Sequence, residues 1–168
     1  IICITDPAEA AARDARMLAE HAEQSKVGPL PAHETILGPG TWVAEDGTAG
    51  KTGIQGRVAH RGRTGRFDDA VGHGWFLLST PEAAGDLDPG LAADHERVGG
   101  RQLTVGGPDS GAEVIDLDGT YATWMGEHGA RHLLMRPDFY VAFVAGDAAE
   151  LNTRLEAILS GMIVRAAA

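Results

Sequence analysis

Asp147 opens the element that most constrains how this chain folds. An Asp with Glu150 three residues on is a helix-capping pattern, and Leu151, Leu155, Ile158, Leu159 and Met162 then fall on one helical face. Burying five such side chains contributes roughly 7–15 kcal/mol gross, an upper bound because unfolded chains are already partly compact. The helix therefore requires an apolar surface to lie on, and the segments before it supply one.

Those segments are short and regularly broken. Trp75-Phe76-Leu77-Leu78, set between glycines and Thr80-Pro81, reads as a buried strand. Leu91 to Val98 predicts a short helix ending at Gly99-Gly100. Gln102 to Val105 and Glu113 to Ile115 read as strands, and Gly119 to His128 as a helix stopped by Gly129. His132 to Met135 and Phe139 to Phe143 are two strands around the turn Arg136-Pro137-Asp138. The order strand, helix, strand, helix, strand, strand, helix is that of an α/β thioredoxin-like sandwich, a central mixed sheet with flanking helices.

Upstream, the sequence changes character. Asp6-Pro7-Ala8-Glu9 predicts a helix start, with Asp6 as cap and Pro7 in the first turn. The helix runs to about Gln24, and its apolar face (Ala11, Ala15, Leu18, Ala22) buttresses a partner better than it builds a core. Residues 26–66 hold nine glycines and three prolines, which break every periodic pattern apart from short extended pieces at Trp42-Val43 and Ile54 to Val58. This stretch is expected to be a connector lying against a surface outside the chain. The expected organisation is residues 1–25 as a terminal helix, 26–66 as connector and 67–168 as the sandwich. The start at Ile1, with the apolar run through Ile4, reads as a strand continued from upstream sequence.

Composition bounds the function classes. A 168-residue chain with 43% hydrophobic and 23% charged residues is ordinary for a globular domain. No apolar run approaches the roughly 18 residues of a membrane span. A net charge of −10 repels a phosphate backbone. Arg57, Arg61, Arg63 and Arg66 form one local basic cluster, but without aromatic interleaving before Phe67 they read as a solvated loop or an inter-domain contact. No nucleic-acid partner and no membrane are expected. Cys3 is the single cysteine, which excludes an internal disulfide and a Cys-x-x-Cys pair and suits the cytoplasm.

Several strings imitate active-site motifs and fail on inspection. Gly146-Asp147-Ala148-Ala149 is similar to a ribityl-contacting string of flavin hydroxylases, but Glu150-Leu151 follows and opens a helix, so capping explains it. His95-Glu96 lacks the second histidine of a zinc-protease motif, because position 99 is Gly99. His128 and His132 are four apart, yet Gly129 places them on different elements. Asp116, Asp118 and Glu127 fit a calcium-loop frame except at its sixth position, where Tyr121 stands for the required Gly. Ser79, Ser110 and Ser160 have no nucleophile-elbow setting. No Gly-x-Gly-x-x-Gly follows a strand, and neither of the two lysines lies in a phosphate loop. No catalytic, cofactor-binding or metal-binding residue is assigned.

Four segments carry a family resemblance. Gly65-Arg66-Phe67-Asp68-Asp69-Ala70-Val71-Gly72-His73-Gly74-Trp75-Phe76-Leu77-Leu78 resembles the opening of the last domain of 3-(3-hydroxyphenyl)propionate hydroxylase-like enzymes. Arg136-Pro137-Asp138-Phe139-Tyr140-Val141 resembles their Arg-Pro-Asp-x-Tyr-Val signature. Thr5-Asp6-Pro7 with Ala11-Ala12-Arg13-Asp14 resembles the closing helix of their flavin domain, and Gln55-Gly56-Arg57-Val58 a stretch of their connector. The resemblance implies a parent monooxygenase that uses FAD and NAD(P)H to hydroxylate a phenolic ring. It also implies that the flavin fingerprint and substrate groups lie upstream of Ile1. The chain is then the structural and association part, next to the upstream flavin domain and in a homo-oligomer, with no cofactor of its own. Arg136 and Asp138 are expected to fix the hairpin turn as an ion pair, and Asp68 and Asp69 to cap or turn before the first strand. A free-standing association module is the alternative, and a thiol oxidoreductase would have to rely on Cys3 alone.

Overall fold

The computed structural model describes residues 4–25, 36–38, 40–43 and 47–162. The chain divides into two compact units, Ile1–Glu34 and Thr35–Ala168. The first holds helix α1 (Pro7–Ser25), whose opening N–H groups at Ala8 and Glu9 donate to Asp6 Oδ1, each at 2.9 Å. Met17 and Leu18 on this helix are exposed. Cys3 lies outside the described residues.

The second unit is built on a mixed seven-stranded sheet in the order β2-β1-β5-β4-β3-β6-β7. In chain order its elements are β1 (Arg57–His60), β2 (Arg63–Arg66), α2 (Phe67–Ala70), β3 (Trp75–Ser79), α3 (Pro89–Arg97), β4 (Gly100–Gly106), β5 (Val114–Asp116), α4 (Thr120–Glu127), β6 (His132–Met135), β7 (Val141–Ala145) and α5 (Ala148–Met162). Only the β3–β4 and β4–β5 pairs are parallel; the others are antiparallel.

Strand alternation divides the apolar side chains between two cores. Phe76 and Leu78 of β3 pack on one face with Leu103, Val105, Leu133 and Met135, covered by Phe67 of α2 and by Tyr121 and Met125 of α4. Leu77 joins Leu134 and Phe143 on the other face, beneath Leu151, Leu155, Ile158 and Leu159 of α5, with Leu91 of α3 packed alongside. The amphipathic closing helix thus finds the surface its sequence demands. Asp147 Oδ1 accepts the Glu150 N–H at 2.9 Å, and Glu150 Oε2 reaches back to the Gly146 N–H at 2.9 Å.

The last hairpin begins later than its apolar pattern predicts. Phe139 has φ 62 and closes the turn, so β7 starts at Val141. The pairing then shifts register between Leu134 and Met135: Phe143 faces Leu134, Val141 faces Met135, and Ala142 is the extra residue. This bulge lets Val141 and Val144 serve one core while Ala142 and Phe143 serve the other.

The connector takes part in the sheet. Gly50 N–H donates to Val141 O and Val141 N–H to Lys51 O, both at 2.9 Å, while Val43 N–H donates to Ala142 O at 2.9 Å. The open edge of β7, a template for unwanted pairing, is therefore occupied by the chain's own upstream residues. The basic cluster, expected as a solvated loop or inter-domain contact, folds as the β1–β2 hairpin and joins the sheet through β5. Arg61 (φ 47) and Gly62 (φ 79) both lie in the left-handed region at its tip, as a tight two-residue hairpin turn requires.

Candidate functional site

Most of the motif-like residues are committed to the fold. In the Gly146–Ala149 string, the Gly146 N–H and the Asp147 carboxylate are both engaged in capping α5. His128 stacks on Trp124 at a centroid distance of 4.2 Å and bonds to its carbonyl at 2.8 Å, whereas His132 is wholly buried on β6. Gly129, at φ 59, ends α4 between them. Among the described residues no group of three His, Cys, Asp or Glu side chains converges as a metal site. Ser110 and Ser160 hydroxyls donate to the carbonyls of Gly107 and Ala157. Arg136 grips Asp138 with two bonds, at 3.0 and 2.7 Å, and lies over the Trp42 ring at 5.6 Å. Asp68 Oδ1 accepts the Asp69 N–H in the first turn of α2.

Asp116 has a different task from the calcium frame its spacing imitates. Its carboxylate is buried at the end of β5 and accepts the N–H groups of Thr120, Tyr121 and Ala122 at 3.1, 2.8 and 3.1 Å. These are orphan donors of the α4 start, where the cap position itself is Gly119 and has no side chain to offer. Asp118 turns outward to Arg57 at 3.5 Å.

A second polar assembly links the buried Ser79 and His132 to the half-buried Asp86. Ser79 ends β3 and His132 opens β6, and the two are direct register partners in the sheet. Ser79 Oγ lies 2.9 Å from His132 Nδ1, and His132 Nε2 lies 3.2 Å from Asp86 Oδ2. A neutral imidazole donates from one nitrogen and accepts at the other. The assignment that satisfies all three groups has Ser79 donating to Nδ1 and Nε2–H donating to the carboxylate. Burial lowers the His132 pKa below the usual histidine value, and the neighbouring Asp86 opposes that shift only in part. Asn152 of α5 ties the same loop down, donating to Asp86 O at 2.9 Å and accepting the Asp88 N–H at 2.8 Å.

A hydroxyl, imidazole and carboxylate in line form the nucleophile arrangement of acyl-transfer enzymes. Here the donors that would stabilise an oxyanion are missing next to the serine. Thr80 N–H is already bound to Arg131 O at 2.9 Å, and the following residue, Pro81, has no N–H. The array ties β3, β6 and the loop before α3 together. Sequence reading missed it because the three residues come from three separate segments; the available signal was that both apolar strands end in a polar residue.

Comparison with known proteins places this architecture. Residues 50–160 match the HcaD C-terminal domain family. The chain belongs to that family. The chain is 32% identical over 151 residues to a probable NADH-specific resorcinol 4-hydroxylase of Rhodococcus jostii (strain RHA1). The match takes in 87% of the chain but 27% of the relative, so the chain spans about a quarter of that protein's length. Among solved structures, aklavinone-11 hydroxylase with FAD and aklavinone aligns at TM-score 0.47 and 24% identity, over 77% of this chain and 26% of that one. The flavin-dependent monooxygenase PieE with FAD and substrate aligns at TM-score 0.44 and 23% identity, over 79% and 23%. No helix among the described residues is long and apolar enough to cross a membrane.

Proposed function

We propose that this chain is the carboxy-terminal structural and association domain of an FAD-dependent aromatic monooxygenase, and that the hydroxylation chemistry resides in the upstream part of the parent polypeptide. The carrying observation is the family match over residues 50–160, together with 32% identity to a resorcinol hydroxylase of which the chain spans only 27%. The placement of the polar groups supports it. The buried carboxylate of Asp116, the Ser79–His132–Asp86 array and the Asp147 cap all hydrogen-bond within the fold.

The finer architecture we assign is thioredoxin-like. The β3–α3–β4 unit, followed by the β6–β7 hairpin and α5 with strand order β4-β3-β6-β7, supports that assignment. Thr80-Pro81-Glu82 follows β3, with no thiol for redox work. Residues 1–25 are assigned to the end of the flavin domain and 26–66 to a connector, part of which the sheet has annexed. The parent takes FAD and NAD(P)H, acts on a phenolic ring and forms a homo-oligomer; the NADH specificity and the resorcinol substrate in the relative's name support that class.

The test is spectroscopic. The 168-residue chain, purified and mixed with FAD, is expected to show no bound flavin absorbance after gel filtration and no oxidation of NADH in the presence of resorcinol. The same chain extended upstream to its full reading frame is expected to be yellow and to oxidise NADH when a phenol is added. A yellow 168-residue chain with one flavin per molecule overturns the reading.

A further inference from the structure

Strand β5 is three residues long, and both of its neighbours outrun it. Its partner β1 continues past the paired residue Ala59 to His60 and the Arg61–Gly62 turn, while β4 starts at Gly100 and meets β5 only at Val105. The sheet is therefore notched between β1 and the first half of β4. A cleft of about 570 Å³ lies there, walled by His60, Arg61, Arg63 and Arg101, with Val71 and Leu103 as its apolar lining.

The charges in this notch are unmatched. The side chains of Arg61 and Arg63 make no hydrogen bond or ion pair among the described residues. Arg101 is held in place, donating to Val71 O at 3.1 Å with its guanidinium over the Phe76 ring at 5.2 Å, but it has no carboxylate partner. Two carboxylates, Glu96 and Glu113, also line the cleft, and neither forms an ion pair with the three guanidiniums; Glu113 instead accepts the Thr104 N–H at 3.4 Å. The His60 ring is 5% exposed, and its Nε2 has no hydrogen-bond partner. Three guanidiniums around one cleft outnumber its two carboxylates and repel one another, and an unmet buried polar atom carries a desolvation cost. A chain of net charge −10 that keeps three arginines unpaired around one cleft has a positive spot in an otherwise negative field.

We propose that this notch is a binding site for a small oxyanion, the carboxylate or phosphate group of an organic ligand. Arg61, Arg63 and Arg101 are its charge partners, the His60 ring forms its inner wall, and Val71 and Leu103 meet the ligand's carbon skeleton. Guanidinium groups suit such a ligand because their planar N–H forks match the spacing of carboxylate and phosphate oxygens. A nucleic acid is disfavoured by the overall charge and by the two carboxylates that line the cleft.

The proposal is tested by NMR on the full 168-residue chain, titrated separately with inorganic phosphate and with benzoate, with ionic strength held constant by sodium chloride. Saturable shifts of the amides of residues 60–63 and 100–103 are expected for at least one of the two anions. Which anion binds more tightly identifies phosphate or carboxylate as the preferred group. The paired substitution Arg61→Asn with Arg63→Gln is expected to weaken binding about tenfold or more. Asparagine suits the positive φ of position 61 and Arg63 is exposed, so this variant keeps the fold, as its amide spectrum will show. Glu96→Gln, which removes a negative charge from the cleft, is expected to tighten binding severalfold. Shifts that chloride alone reproduces, shifts located elsewhere, or unchanged affinity in the paired variant would each overturn the site.

Discussion

The imidazole of His95 lies against the α-carbon of Gly100, so close that a Cβ there would sit 2.2 Å from Nε2 and 2.3 Å from Cδ2. The ring fills the corner where α3 turns through Gly99 into β4, and it is buried. Gly100→Ala forces backbone or ring to move and is expected to cost about 1–3 kcal/mol, the usual range for overpacking. Urea denaturation compares the variant with the parent. Equal stability would mean that the ring has room to leave, and that the corner is looser than its geometry indicates.

The same ring makes stability depend on pH. Neither nitrogen of His95 has a hydrogen-bond partner, and burial lowers its pKa from 6.5 to about 4. The unfolded chain binds a proton more readily than the folded one. The contribution is therefore complete above the unfolded value and is lost as pH falls from 6.5 toward about 4. The full loss amounts to about 3 kcal/mol. His132 is shifted in the same direction and adds to the trend. His95→Leu is expected to flatten the pH dependence of the urea midpoint without abolishing the His132 part. An unchanged slope would assign the acid sensitivity to other groups.

Asp116 is expected to be among the most sensitive polar positions. Asp116→Ala strands three N–H groups at the start of α4, two of them part-buried and that of Tyr121 buried. The expected loss is about 2–4 kcal/mol, above an ordinary exposed cap because several donors go unmet at once. Asp116→Asn keeps one acceptor oxygen and is expected to cost less. Thermal unfolding followed through the Tyr and Trp near-ultraviolet signal reads both, since Tyr121 and Trp124 lie on this helix.

These two sites also mark the limit of what the sequence discloses. The helices α1, α4 and α5 were legible because their ends carry local chemistry: Asp6, Gly129 and Asp147 act within a few residues of themselves. The run Trp75–Leu78 was legible because both faces of β3 are buried and the strand is continuously apolar. The β1–β2 hairpin was not, beyond the extended piece ending at Val58, since β2 is the edge strand with mostly exposed side chains and the turn is made by Arg61-Gly62 without the usual Asn or Asp. Asp116 escaped because it caps from three residues before the formal cap Gly119. The late start of β7 follows from Phe139 adopting a conformation that an aromatic residue rarely takes.

Arg136 and Asp138 form a two-pronged pair in the hairpin turn, yet the two residues are expected to behave unequally. The Asp138 side chain is 47% exposed, so solvent screens the ion pair, and Asp138→Ala is expected to cost no more than about 1 kcal/mol. Arg136→Ala is expected to cost more, because the guanidinium also covers Trp42. A double-mutant cycle separates the two contributions. A coupling energy as large as the whole Arg136 effect would remove the role of the Trp42 contact.

The Ser79–His132–Asp86 array permits a sharper test of whether it serves the fold or chemistry. Ser79→Ala leaves Nδ1 of a wholly buried imidazole without a donor and is expected to cost about 1–3 kcal/mol. His132→Leu removes that nitrogen and leaves the Ser79 hydroxyl without its acceptor, so Ser79→Ala made in that background is expected to cost much less. The two substitutions are thus strongly coupled if the array is a tie between β3 and β6, cross-strand neighbours in the sheet. A nucleophilic serine would behave differently: it would react with a fluorophosphonate at a rate that falls in both single variants. With Thr80 N–H occupied and Pro81 lacking one, labelling of Ser79 is not expected, and mass spectrometry of the treated chain decides between the two.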